Sequence, residues 1–73
     1  MHAADDGPVA TTYEIVVKGK PEQALLADLG PHSLEQRHGM TVIVVDIIDQ
    51  SHLQGVLNQL YDSNVEVVRI NPV

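Results

Sequence analysis

The eight residues Thr41 to Ile48, TVIVVDII, form the most continuous apolar run in the chain, interrupted only by Asp46. The run is short, rich in β-branched residues, and bounded by Gly39 before it and Asp49-Gln50-Ser51 after it, which marks a strand buried on both faces. It is the expected central strand. Upstream, Thr12 to Lys18 alternates, with Tyr13, Ile15 and Val17 on one face and Thr12, Glu14, Val16 and Lys18 on the other. This predicts a first strand, closed by Gly19-Lys20-Pro21. A helix follows to about Leu29, with Pro21 at its first position, Leu25, Leu26 and Leu29 inward, and Gly30-Pro31 as its stop.

Ser33 to His38 has the weaker alternation of an exposed edge strand, and Arg37-His38-Gly39-Met40 supplies the glycine of a hairpin that returns as the central strand. Beyond it, Asp49 is placed to cap a helix. Leu53, Val56, Leu57, Leu60 and Tyr61 fall at i, i+3, i+4, i+7 and i+8, the spacing of one apolar stripe. Asn64 suits the left-handed position past that helix, and Val65 to Ile70 resumes extended character. The order strand, helix, strand, strand, helix, strand predicts an α+β, ferredoxin-like split βαβ fold. Its four-stranded antiparallel sheet has order 4-1-3-2, with two helices on one face. Residues 1–10 (MHAADDGPVA) show no periodicity and are expected to be a flexible leader, leaving residues 11–73 as a single domain.

The second half, D-x-x-x-L-x-G-x-L-x-x-L from Asp49 followed by V-E-V-V-R-I from Val65, resembles short bacterial ferredoxin-like or ACT-like domains of uncharacterised function. That resemblance implies dimers and amino-acid binding, with a ligand held near the first strand-helix turn. Gly19, Lys20 and Glu22 are the positions it would concern.

In such a fold one sheet face is bare, so the parity of each strand residue decides which side it serves. Ile43, Val45 and Ile47 point to the helices. Val42, Val44 and Asp46 fall on the open face with Val16 and Lys18 and, for a last strand in regular register, Val65, Val67 and Arg69. An apolar centre ringed by charge has the anatomy of an interface. Val16, Val42, Val44, Val67, Asp46 and Arg69 are therefore the candidate contact residues of a homodimer packed sheet to sheet. Cross-strand pairs are expected between Asp46 and Lys18 and between Glu14 and Arg69. Gly55, in a helix interior opposite the apolar stripe, is expected to face solvent.

Composition narrows the function classes. The chain has 73 residues, four Lys and Arg against ten Asp and Glu, a formal charge of −6, no Trp or Phe and two Tyr. Phosphate backbones and anionic membranes are repelled by that charge, and stacking platforms for bases are scarce, so neither nucleic acid nor membrane is expected as a partner. Cysteine is absent, which removes disulfides, thiolate ligands and a thiol nucleophile. No apolar run approaches the ~20 residues of a membrane span, and the chain is expected to be cytoplasmic.

Catalytic signatures are equally sparse. The histidines His2, His32, His38 and His52 show no i, i+4 pairing on one helix, and six extended residues at ~3.3 Å each would separate His32 from His38 by roughly 20 Å, so no metal site is expected. Ser33, Ser51 and Ser63 lie in turn or cap contexts without a nucleophile elbow. Three readings follow. The first is a non-catalytic interaction or regulatory module acting as a homodimer, with no cofactor and the alternative of a protein partner. The second is an ACT-like small-molecule domain. The third is a small dimeric enzyme using Tyr13, His38 or Asp46 to move a proton in an apolar cleft.

Overall fold

A computed structural model of the protein describes residues 10–73. Apart from Ala10, the expected leader lies outside the described residues, as does His2. The elements run β1 (Thr11–Lys18), α1 (Gln23–Leu29), β2 (Ser33–Arg37), β3 (Met40–Ile47), α2 (Gln50–Asp62) and β4 (Val67–Pro72). All pairings are antiparallel and the sheet order is β2-β3-β1-β4, the expected 4-1-3-2 counted from the opposite edge. The chain thus adopts the α+β, ferredoxin-like arrangement that its strand and helix order predicted.

Local chemistry sets the boundaries. His38 and Gly39 have φ of 52° and 76°, the two left-handed positions of a type I′ turn, which matches the right-handed twist of the strands it joins. β2 and β3 are thereby held in unbroken register from Arg37↔Met40 to Ser33↔Val44. α1 ends where Gly30, at φ 61°, turns its N–H back to the carbonyls of Leu26 and Ala27. Its start differs from expectation, because Pro21 is buried one residue ahead of the cap, and the cap residue Glu22 makes no side-chain hydrogen bond. α2 begins on Asp49, whose side chain accepts the His52 N–H at 2.8 Å. It is followed by Asn64, left-handed at φ 59°.

The core lies between the helices and one sheet face. Ile15 and Val17 from β1 and Ile43, Val45 and Ile47 from β3 meet Leu25 and Leu29 of α1 and Val56 and Leu60 of α2, all buried. Tyr13, Leu26, Leu53, Leu57 and Ile70 pack around them. The helix-facing parity read for β1 and β3 therefore holds along both strands.

The last strand departs from regular parity. It begins at Val67 rather than Val65, and its pairing with β1 runs Ile15↔Ile70, Val16↔Arg69 and then Val17↔Val67, skipping Val68. A β-bulge sets two residues of one strand against one of its partner, so alternation is reset on passing it. Val65 and Val67 consequently pack against the core on the helix side, whereas Arg69 stays opposite Val16 on the open face. The placement of Val65 and Val67 on the open face is corrected by this one inserted residue.

Candidate functional site

Strand register assigns the helix-free face row by row. At one end lie Arg37, Met40 and Lys18, then Glu35, Val42, Val16 and Arg69, then Ser33, Val44, Glu14 and Asn71, and finally Asp46 beside Thr12. Val42 and Val44 are half-buried and Val16, at 7% exposure, is almost covered. The apolar centre is thus a narrow spine of Val16, Val42 and Val44, flanked by charged rows on both sides.

The rim is organised into pairs. Arg69 Nη2 donates to Glu14 Oε1 at 3.4 Å, the expected cross-strand contact. Lys18 Nζ lies 3.5 Å from Glu66 Oε2 and faces Met40 across the ladder, so it does not serve Asp46. Asp46 sits at the other end of β3. Its Oδ1 accepts the Thr12 hydroxyl at 2.8 Å and its Oδ2 lies 3.8 Å from His32 Nδ1. The expected Asp46–Lys18 pair is therefore corrected: both residues occupy the open face, but the antiparallel register holds them at opposite ends of it. On β2, Arg37 grips Glu35 in bidentate fashion, at 2.7 Å from Nη2 and 3.1 Å from Nε. The Arg37 hydrogen bond, and then its charge, hold the Glu35 carboxyl below the ordinary 4.5, and the same contact raises Arg37.

This distribution is unusual for so acidic a chain. Lys18, Arg37 and Arg69 are three of its four Lys and Arg, and each meets a glutamate on or beside the open face. On that face Lys18, Arg37 and Arg69 balance Glu14, Glu35 and Asp46, with Glu66 beside it, so the face is close to neutral.

A second feature lies on the helix side. Between α1 and the edge strand β2 opens a cleft of about 650 Å³, with Leu26, Ala27, Pro31 and Leu34 as apolar walls and Lys20 and Glu22 at the mouth. Leu34 is 44% exposed there. The floor is polar but satisfied: Thr41, 2% exposed, accepts from Gln36 Nε2 at 3.3 Å and donates to the Gly19 carbonyl at 2.6 Å. Gly19 also donates its N–H to the Gly39 carbonyl at 2.8 Å. Of the three residues assigned to a ligand near the first turn, Lys20 and Glu22 border this cleft. Gly19 instead clasps the β1–α1 turn to the hairpin and borders a smaller cavity of about 290 Å³ with His38 and Met40.

The proton-handling candidates are not brought together. Tyr13 packs on the helix side, Asp46 stands on the open face, and His38 occupies the hairpin turn at the far end of β3. His52 is engaged in capping, its Nδ1 accepting the Ile48 N–H at 3.2 Å. Among the described residues no three His, Cys, Asp or Glu side chains converge as a metal set, and no helix is long and apolar enough to cross a membrane. Sequence reasoning missed the roles of Thr12, His32, Leu34 and Thr41. Only for Thr12 and Thr41 was there a signal, since hydroxyls at strand positions seek partners across the ladder.

Fold and surface together define a small βαββαβ domain with one helix-free, charge-paired sheet face and one open cleft. The chain belongs to the family described as Domain of unknown function (DUF8691), whose pattern matches residues 12–71, from within β1 to within β4. No curated protein and no solved structure matches it.

Proposed function

We propose that this protein is a non-catalytic interaction module that works as a homodimer through its open sheet face. The observation that carries this reading is the concentration of three of the four cations on that face, each beside a glutamate, around Val16, Val42 and Val44. A chain of charge −6 resists meeting its own copy over most of its surface, and a neutralised face lowers that resistance where the apolar spine is available. Asp46 and Arg69 stand at opposite sides of the spine as polar rim. Val67, turned to the core, takes no part in the contact. Molar mass measured in solution from about 1 mM down to about 1 μM, the range over which specific association is ordinarily graded, tests the reading. A dimer split by Val44→Glu with the helices retained supports it, and a monomer throughout ends it.

The cleft between α1 and β2 favours a second reading, a small-molecule binding domain of ACT-like type. Its volume falls within the ~300–1,000 Å³ of ligand pockets, and it joins apolar walls to one cation and one carboxylate, Lys20 and Glu22. That pairing suits a zwitterion with an apolar side chain. Thermal shifts with a panel of free amino acids separate the readings: a rise confined to apolar amino acids and lost in Lys20→Ala favours the ligand domain.

A further inference from the structure

The two edges of the sheet are built differently. β4 carries the bulge at Val68 and ends on Pro72, and both devices discourage a further strand from pairing. β2 has neither. Its five residues are all exposed, and its register with β3 is unbroken. In a two-residue hairpin the residues flanking the turn bond to each other, here Arg37 and Met40, so hydrogen bonding toward β3 falls on Arg37, Glu35 and Ser33. The N–H and C=O of Leu34 and Gln36 are then directed away from the sheet.

We infer that β2 pairs antiparallel with β2 of a second copy about an axis at Gln36, joining two sheets into one of eight strands. Charge selects both the occupant and the register. Glu35 and Arg37 lie on one face two residues apart, so a copy reversed about Gln36 sets its Arg37 against Glu35 and its Glu35 against Arg37. The four side chains then close a ring of alternating sign. An axis one residue earlier, at Glu35, would oppose two glutamates directly. Pairing at Gln36 satisfies the outward N–H and C=O of Gln36 in both copies and sets exposed Leu34 beside the hairpin turn of the second copy. It also brings the two clefts beside α1 to either side of the axis on the same sheet face. This edge contact leaves the apolar spine Val16, Val42 and Val44 of the proposed sheet-face contact free, although Glu35 and Arg37 also stand at the margin of that face.

A charge exchange tests it. Glu35→Arg and Arg37→Glu should each weaken association about tenfold, because each sets like charges against each other across the axis. An equimolar mixture of the two variants should recover association as a heterodimer in native mass spectrometry, since each variant carries the charge that the other lacks. The Gln36 amide of the wild-type protein should also exchange its hydrogen more slowly as concentration rises, and this needs no variant. Variants that associate like wild type, a mixture no tighter than its parts, or a Gln36 amide indifferent to concentration up to about 1 mM would overturn the inference. Val44→Glu, which acts on the sheet face alone, should leave the recovery in the mixture intact.

Discussion

The backbone N–H of His52 donates to Asp49 Oδ1 at 2.8 Å, and the His52 ring returns the favour one residue earlier by accepting from Ile48. This reciprocal cap fixes where β3 stops and α2 starts, and hence how Val56 and Leu60 reach the sheet. Asp49→Ala should lower unfolding stability by about 1 kcal/mol, the usual cost of losing a side-chain cap. His52→Ala should cost less, because the Ile48 N–H is exposed enough to find water. Urea midpoints of the two variants check both magnitude and order.

Gly55 tests the opposite case, a position where the native residue is a poor choice for its surroundings. It lies in the interior of α2, exposed, and a Cβ built there meets nothing within 4 Å. Gly55→Ala should therefore raise stability by about 1 kcal/mol through helix propensity alone. Thermal melts read that gain. A loss, or a change in association, would show that another backbone comes close to Gly55 in the assembled protein.

The hairpin contains a similar reserve. His38 sits at φ 52°, a left-handed conformation that costs a residue with a side chain roughly 1–2 kcal/mol and is borne most easily by Gly and Asn. His38→Asn creates the Asn-Gly pair preferred by type I′ turns, and a gain of about 0.5–1 kcal/mol in denaturant unfolding is expected.

How far the fold could be read from the residues follows from where alternation is regular. β1 and β3 alternate without interruption, so Ile15, Val17, Ile43, Val45 and Ile47 were legible as one face from period two alone. The bulge at Val68 was not, because Val-Val-Arg-Ile contains no glycine or other residue to announce an extra position. Parity also placed Asp46 and Lys18 correctly on the open face, but which residues stand opposite is a property of register between strands far apart in sequence, and register gave Asp46 to Thr12 and His32. The cleft was legible only at Lys20 and Glu22. Its walls at Leu26, Pro31 and Leu34 depend on α1 leaving part of β2 uncovered, a matter of packing rather than pattern.

The Glu35–Arg37 contact gives a pH dependence of definite sign. A carboxyl whose folded pKa is depressed contributes stability that is present above its unfolded value and is lost as pH falls through the folded one. Glu35, held below 4.5 by Arg37, should therefore titrate later than an ordinary glutamate during acidification. Its carboxyl carbon shift, followed by NMR, should show this, and Arg37→Gln should return the midpoint to the ordinary range. Both side chains are exposed, so the global unfolding curve should change little.

Ile43 and Val44 are neighbours in the chain and belong to different problems. Ile43 is wholly buried between the helices and β1, opposite Ile15, whereas Val44 is half-buried on the open face between Ser33 and Glu14. Ile43→Ala removes packed core volume and should cost about 2–5 kcal/mol of stability. Val44→Ala removes atoms already partly wet and should cost well below that, about 1 kcal/mol. If the sheet face is an interface, the order reverses for association: Val44→Ala should weaken the dimer, while Ile43→Ala leaves its dissociation constant unchanged in whatever fraction remains folded. Measuring urea midpoints and sedimentation on the same two proteins separates the two roles. A Val44 variant that loses stability as Ile43 does, with association untouched, would mean that both sides of β3 serve the fold alone.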